Sequence, residues 1–330
     1  MHRVLLITGP GGDAQGWGNM DVTRQIANAI NASDKSADIV FVSNKDELYR
    51  SLDTCKFDLV WSALYHVTEN EATIGMVDCG EDWVADILDK RGIPYIGPNA
   101  AGMKALIHKT ATHNILDRAG VPVPYHYQIE QGHALPQIMF PAFVKPSFES
   151  RSVGISDNSV VNTVDELAAQ VGFIHENYDQ PALAEEYLPG QEYTVLMLGN
   201  GAVQIFLPGM VTVNPKLFGR YPILKEDLRG VGATKIQPAG ELSANLIEAT
   251  AKAMKALNCL DHVRADMRLD SQGNVKIIEV NGIPGLKPVK SWSPQLYTLH
   301  HASKKGEMED YRRLINHIVN SALARYGIAE

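Results

Sequence analysis

The sequence predicts a three-part α/β protein whose first part is built on a parallel sheet. Short apolar runs at Val4–Thr8, Ile39–Ser43 and Leu59–Ala63 predict three strands. A helical pattern over about Asp21–Asn31 separates the first two strands, and this alternation is typical of a parallel sheet covered on both faces. After Gly190 the pattern changes to strands joined by tight turns, which favours antiparallel pairing.

Turn-forming residues and the spacing of apolar residues predict the domain boundaries and the helices and strands of the rest of the chain. Gly97-Pro98-Asn99 marks a boundary, so the expected domains are residues 1–98, 99–187 and 188–330. Helices are expected at Glu81–Lys90, Met103–Ala119, Thr163–His175, Leu242–Leu257 and Tyr311–Ala322. Further strands are expected at Ile93–Ile96, Phe143–Lys145, Ala182–Glu186, Glu192–Leu198, Ala202–Leu207, Val263–Leu269 and Val275–Val280. Gly209–Gly240 is rich in glycine and proline and is expected to form a long functional loop.

The composition argues against several classes of protein. The 330 residues are 45% hydrophobic and 21% charged, and no apolar run approaches the length of about 20 residues that a membrane-spanning helix needs. Thirty basic residues against 38 acidic ones give a net charge of −8, so no nucleic-acid partner is expected. The three cysteines lie far apart and form neither a disulfide framework nor a CxxC pair. We expect a cytoplasmic protein with no membrane partner.

Two carboxylates are expected to face each other on the hairpin formed by the last two strands. Asp266 lies opposite Glu279 in the expected register, with Arg264 and Asn281 beside them and Ile277 on the same face. Such a pair repels by a few tenths to about 1 kcal/mol unless a cation lies between the two groups. Oxygen ligands of this kind suit Mg²⁺, although a hairpin whose charges face water fits the same pattern. Arg264 is either their counter-charge or a clamp for a phosphoryl group or a developing oxyanion.

Cations and carboxylates also occur near the ends of elements in the middle part. Lys145 ends a strand, and the small-residue loop Ser147–Gly154 that follows can bring backbone N–H groups close to phosphate oxygens. Lys109 is an isolated cation in an otherwise apolar helix. The adjacent Glu185 and Glu186 close a strand where they could bind the amino and hydroxyl groups of a nucleoside, although a charged hinge fits them too. Taken singly, each lysine is more often a solvated surface residue.

These motifs, in this order, resemble the ATP-grasp superfamily and, within it, the D-alanine–D-alanine ligase family. The resemblance covers most of the chain, from about residue 3 to residue 322. It is carried by Phe143-Val-Lys-Pro-Ser147 with Ser152-Val-Gly-Ile-Ser156, by Ala184–Thr194, and by Asp266…Glu279-Val-Asn281 followed by Pro284-Gly285. It implies an α/β, three-domain ATP-grasp fold, in which a parallel-sheet N-terminal domain is followed by two α+β domains that clamp ATP.

The resemblance also implies roles for individual residues. Nucleotide contacts are implied for Lys109, Lys145, Ser152, Glu185, Glu186, Leu188 and Glu192. The implied metal ligands are Asp266, Glu279 and Asn281. Arg264 and the Gly285 backbone N–H are expected to stabilise an oxyanion, and Lys225 corresponds loosely to a loop lysine of the family. The implied cofactors are ATP and Mg²⁺, for which Mn²⁺ can substitute, and the implied assembly is a homodimer.

Three positions depart from the family's pattern at the substrate end. Arg151 replaces a serine of the phosphate loop, and Lys290 lies in a segment that is usually rich in hydroxyl groups. Asp13 is the candidate to meet the first substrate's ammonium, because the family's usual acidic pattern is missing. These changes predict a larger or more anionic partner than D-alanine. We therefore expect an ATP-dependent ligase of the acid–amino acid type, which joins a small-molecule carboxylate to an amine through an acyl phosphate.

Other functions remain open at this point. The first alternative is an authentic D-alanine–D-alanine ligase of cell-wall synthesis with a remodelled acceptor site. The second is a non-catalytic nucleotide-binding protein, although such a protein would not need to keep every residue of the set. A dinucleotide-binding oxidoreductase is disfavoured, because Gly9–Gly16 lacks the G-x-G-x-x-G spacing.

Overall fold

The first sheet is parallel, as its alternating pattern predicts. A computed structural model describes residues 1–67, 83–149, 152–225, 228 and 233–328 of the chain. Its first strands are β1 Arg3–Thr8, β2 Ser36–Phe41 and β3 Leu59–Ser62, in the order β2-β1-β3. The helices of this part are α1 Gly12–Gln15, α2 Met20–Asn31, α3 Lys45–Thr54 and α4 Val84–Lys90. The expected strand at Ile93–Ile96 is reduced to a single parallel bridge between Val60 and Tyr95.

A break in the backbone at His108 corrects one predicted helix. The sequence predicts a single helix over Met103–Ala119, but the structure has α5 Ala100–Ile107 and α6 Lys109–Arg118. His108 is extended, with φ −85° and ψ 95°, and its ring meets the edge of Phe148 at 4.8 Å. The Thr112 hydroxyl donates to the Ala105 carbonyl at 2.6 Å, which satisfies an acceptor at the end of α5. The break puts Lys109 at the first position of α6, below the middle sheet.

The middle sheet is antiparallel. One of its faces packs against a helix, and the other carries side chains of the candidate active site. Its elements are β4 His126–Ile129, β5 Ala142–Pro146, β6 Val160–Val161, α7 Val164–Tyr178 and β7 Ala182–Glu186, with strand order β4-β7-β5-β6. Val144 and Ala184 face α7 and form part of its core with Leu167. Lys145 and Glu185 therefore face the opposite way, because side chains alternate along a strand.

The third sheet has five antiparallel strands and corrects the expectation of a long loop. Its elements are β8 Glu192–Leu198, β9 Ile205–Val213, β10 Thr234–Pro238, α8 Ser243–Ala256, β11 His262–Leu269, β12 Val275–Asn281, α9 Trp292–His301 and α10 Glu307–Arg325. The order is β10-β9-β8-β11-β12. Both ends of the predicted Gly209–Gly240 loop are paired strands. Gly209 lies within β9, where a Cβ would collide with Ile236 and Leu296, so this glycine marks close packing rather than a turn.

The predicted pairing of Asp266 with Glu279 is confirmed, but a bulge produces it. A four-residue loop over Ser271–Asn274, as the sequence predicts, would put Asp270 opposite Val275. The pairing instead begins with Leu269 opposite Val275, and a register shift after Asp266 compensates. The shift leaves an extra residue, Ile278, in β12. The expectation that Ile277 shares the carboxylate face is therefore wrong, since Ile277 is fully buried in the core under α8.

The C-terminal helix α10 returns to the first sheet. Its buried residues Leu314, Ile315 and Ile318 belong to the same hydrophobic cluster as β1 and α2. A polar staple lies beside this contact: Arg325 donates to both carboxylate oxygens of the fully buried Asp261, at 3.2 and 2.7 Å. None of the helices in the described ranges combines the length and apolar character that a bilayer crossing requires.

Candidate active site

A deep cleft lies between the middle sheet and the third sheet. It encloses about 880 Å³ of space, part of it open to solvent. Most of the site residues predicted from the sequence line this cleft: Lys109, Lys145, Ser152, Glu185, Glu186, Leu188, Glu192, Asp266 and Glu279. The two sheets therefore bring together side chains that are more than 130 positions apart in the chain.

Asp266 is the centre of a network on one wall of the cleft. Arg264 donates to its two carboxylate oxygens at 2.8 and 2.7 Å. The Thr194 hydroxyl, on the neighbouring strand, donates at 2.7 Å, and the Asn281 amide donates at 3.0 Å. Of the two roles left open for Arg264, the counter-charge is the one seen in these contacts. The role at an oxyanion stays a prediction, as does that of the Gly285 N–H.

The donor set on this wall fits a magnesium ion. In the described ranges, no group of three or more His, Cys, Asp or Glu side chains is arranged to hold a metal. A metal here would instead meet the carboxylates of Asp266 and Glu279 and the amide oxygen of Asn281, whose amide nitrogen already donates to Asp266. Mg²⁺ typically takes few protein oxygens and completes its shell with water and phosphate, so the set suits it better than a softer metal.

Two buried lysines lie at the floor of the cleft. The Lys145 ammonium lies 2.7 Å from Glu185, and the Lys109 ammonium lies 3.5 Å from Glu279 and donates to the Glu149 backbone carbonyl. Burial lowers the pKa of Lys109, and the Glu279 carboxylate opposes that shift. Both cations are held by fixed partners, which prepares them for an anion entering the cleft.

An ion pair between Glu186 and Lys276 joins the two walls at the other end of the cleft. Glu186 ends β7 of the middle sheet, and Lys276 belongs to β12 of the third sheet. The Lys276 ammonium also lies 5.2 Å from the centre of the Tyr125 ring. The Glu186 carboxylate therefore has a partner in the protein itself, a cation that the sequence reasoning missed.

A segment of residues 219–225 covers the cleft and is tied to the middle part of the chain. Ile223 and Leu224 line the cleft. Asp157 accepts from the Arg220 backbone N–H at 3.2 Å and lies 3.5 Å from the Lys225 ammonium. Lys225, the loose counterpart of the family's loop lysine, is thus paired with Asp157 in this structure.

Removing the Asp157 carboxylate is expected to loosen this segment. In Asp157→Ala, trypsin should cut after Arg220 or Lys225 roughly fivefold faster, because a part-exposed ion pair and a backbone hydrogen bond are lost. Glu176→Ala, which removes an exposed carboxylate from α7, serves as the matched control. Equal cleavage rates in the two variants would contradict the role given to Asp157.

Two of the predicted substrate residues, Asp13 and Lys290, are not among the residues that line the cleft. Asp13 is exposed on the short helix α1, and Lys290 is exposed in a turn in which its backbone N–H donates to Lys287. Gly285 is half-buried, and a Cβ there would lie 3.0 Å from the Ser291 hydroxyl. Arg151 lies outside the described residues. The structure therefore leaves the assignments of substrate contacts as predictions.

The sequence reasoning missed the apolar part of the lining. Its side chains, here called the apolar slot, include Phe143, Ile155, Tyr187, Ile223, Leu224 and Ile278, which line the same cleft as Glu185 and Leu188. Phe143 could have been found, because it shares a strand face with Lys145. Ile278 could not, because only the bulge in β12 turns it toward the cleft.

Comparison with known proteins assigns the family. Residues 118–320, more than half of the chain, match the family model described as D-ala D-ala ligase C-terminus. The chain belongs to the D-alanine–D-alanine ligase family. It accordingly has the ATP-grasp fold expected from the sequence and is an ATP-dependent ligase that forms C–N bonds.

Relatives of this ligase family are similar over much of their length. The uncharacterized protein y4sG of Sinorhizobium fredii is 30% identical over 252 residues, which are 74% of this chain and 70% of that protein. The D-alanine–D-alanine ligase of Sodalis glossinidius is 30% identical over 230 residues, 66% of this chain and 61% of the relative. The crystal structure of D-alanine–D-alanine ligase from Bacillus anthracis complexed with ATP aligns over 100% of both chains, with a TM-score of 0.72 and 19% identity. At that identity the alignment supports the fold alone.

Proposed function

We propose that the chain binds ATP in the cleft, uses it to convert a small-molecule carboxylate into an acyl phosphate, and joins the acyl group to an amine. The observation that carries this proposal is the convergence of two buried lysines and the Asp266/Glu279 pair on one cleft. Cations and a metal-binding carboxylate pair facing each other are what phosphoryl transfer requires, because its catalysis is mostly positioning and charge stabilisation.

In this proposal, different residues of the cleft contact the phosphate end and the base end of the nucleotide. Lys109 and Lys145 hold the phosphate oxygens, while Glu185, Leu188 and the apolar slot receive the base. Asp266, Glu279 and Asn281 would hold Mg²⁺, which when bound supplies charge neutralisation for the phosphates. Glu192 meets the ribose in this assignment.

The reaction then proceeds in two displacements. A carboxylate oxygen of the first substrate attacks the γ-phosphorus of ATP, and ADP leaves. The amine of the second substrate attacks the acyl carbon, and phosphate leaves with one oxygen of the original carboxylate. An acyl phosphate is readily hydrolysed, so the segment 219–225 that covers the cleft has the task of excluding water.

D-alanine is the second candidate for both substrates. The match to the family model and the similarity to named D-alanine–D-alanine ligases favour it. The sequence departures at Arg151 and Lys290 favour another amino acid or a similar carboxylate. The two candidates differ only in what the substrate end of the site accepts.

A screen for ATP-dependent phosphate release tests the proposal. Purified chain with ATP and Mg²⁺ is supplied with D-alanine, with L-amino acids and with other carboxylates, singly and in pairs, and the products are identified by mass. Release that requires a carboxylate and an amine, together with a product of their combined mass less water, supports a ligase. A product from D-alanine alone, at a rate that no other pair matches, supports the second candidate. Tight ATP binding without turnover on any pair would contradict both.

A further inference from the structure

A fully buried histidine lies directly behind the base end of the cleft. His113 is on α6, four residues after Lys109, and it has no exposed surface. Its Nδ1 lies 3.3 Å from the Glu185 Oε1 atom. Neither atom has a hydrogen bond of good geometry within the described part of the chain, although both are buried. Burying two polar atoms without hydrogen bonds lowers the stability of the fold unless the two atoms bond to each other.

The surroundings of His113 favour a neutral ring. Burial, with Lys145 and His126 nearby, holds the pKa of His113 well below its usual range. The other charged groups near the cluster are Lys109 and the Glu185 carboxylate itself. A neutral imidazole has one N–H, and two acceptors face the ring: the Glu185 carboxylate and the Ile278 backbone carbonyl. The carboxylate is charged and is therefore the stronger acceptor.

His126 limits how far the His113 ring can turn. The two ring centres are 5.0 Å apart, with the planes inclined at 65°. His126 is itself held, because its two nitrogens lie 3.0 Å from the Pro124 carbonyl and 3.1 Å from the Asn114 side-chain oxygen. The held His126 ring therefore packs against the His113 ring and restricts its rotation.

We infer that His113 is a positioning residue for nucleotide selection: its Nδ1–H donates to Glu185 Oε1 and, with Lys145 on Oε2, fixes the carboxylate as an acceptor for a base that carries an exocyclic amine. The Lys145 ammonium lies 2.7 Å from Glu185 Oε2, so each oxygen of the carboxylate has its own hydrogen-bond donor. A carboxylate fixed in this way accepts hydrogen bonds and rejects a base that presents no donor at that position. The inference rests on the proposed function, since it takes the apolar slot around Glu185 as the base site.

Nucleotide binding measured by calorimetry separates this role from simple packing. The ligands are ATP and purine riboside triphosphate, which lacks the exocyclic amine. His113→Phe removes the donor, and we expect the Kd for ATP to rise by roughly tenfold or more, since a hydrogen bond to a charged group is lost. The Kd for purine riboside triphosphate should stay within about twofold of the wild-type value. His113→Asn, whose amide nitrogen lies near the position of Nδ1, should restore most of the preference for ATP.

A control variant and the pattern of the two Kd values separate a role in base selection from a role in packing. His133→Phe makes the same change at an exposed loop residue and should alter neither Kd. An equal loss of affinity for both nucleotides in His113→Phe would indicate packing alone and overturn the inference, as would no loss for either. Absence of ATP binding by the wild-type chain would overturn the proposed function, and the inference with it.

A measurement on the unmodified chain is independent of any folding defect. In ¹⁵N NMR of histidine-labelled protein, His113 should be a neutral ring with its proton on Nδ1. A proton on Nε2 would overturn the inference, because Nδ1 would then present a lone pair to the Glu185 carboxylate.

Discussion

Asp266→Asn is expected to lower ATP-dependent product formation by at least about 100-fold, the usual scale for losing a preorganised charge at a transferring group. The change keeps the size of the side chain and the possibility of a bond to Thr194, but it leaves the buried Arg264 without its bidentate counter-charge, so circular dichroism checks that the variant is folded before rates are compared. It removes half of the carboxylate pair that faces the cleft. The Mg²⁺ concentration that gives half-maximal rate should rise together with the loss of kcat.

The matched control for Asp266→Asn is the same substitution at an aspartate outside the cleft. Asp38→Asn makes the same chemical change at an exposed residue on the edge strand β2, far from the cleft. It should leave kcat and the Mg²⁺ dependence unchanged. If Asp266→Asn turned over at the wild-type rate with an unchanged Mg²⁺ requirement, the carboxylate pair would not be the metal site.

Arg325→Met is expected to lower the free energy of unfolding by about 3–5 kcal/mol, the scale for leaving one partner of a buried ion pair unpaired. Asp261 is fully buried, and Arg325 supplies two of its hydrogen bonds. The Gly97 N–H and the Asn200 amide supply others, at 2.8 and 2.6 Å. This one carboxylate therefore ties α10 to both the first and the third sheet.

Urea unfolding followed by circular dichroism measures the effect. Arg312→Met is the matched control on the same helix, because its pair with Glu309 is exposed and should contribute less than about 1 kcal/mol. An Asp261→Asn/Arg325→Met double variant should be more stable than Arg325→Met, since no charge is then left buried without its partner. A midpoint for Arg325→Met equal to that of the control would show that the staple does not hold the helix.

Most strands were predictable because their signals are local. Apolar runs and alternation predict the first sheet and the hairpin that carries Asp266 and Glu279 from neighbouring residues alone. The errors have long-range causes. At the helix break His108 contacts Phe148, and within β9 Gly209 packs closely against Ile236 and Leu296, all of them distant in sequence.

The sequence indicates which charged residues belong to the site better than it indicates which residues they contact. Charged side chains in otherwise apolar elements, such as Lys109 and Asp266, are visible in a sequence because their burial needs a reason. Their partners are less visible. Nothing near Glu186 in the sequence indicates Lys276, and nothing near Glu185 indicates His113, because the sheets and α6 bring these pairs together only in the fold.

Isotope transfer tests the central claim, that the cleft makes an acyl phosphate. The carboxylate of the accepted substrate is labelled with ¹⁸O in both oxygens, and the released phosphate and nucleotide are analysed by mass spectrometry after turnover with unlabelled ATP. An acyl phosphate intermediate predicts one ¹⁸O atom in each phosphate released and none in ADP. Product formed with unlabelled phosphate, or with ¹⁸O in AMP, would contradict it.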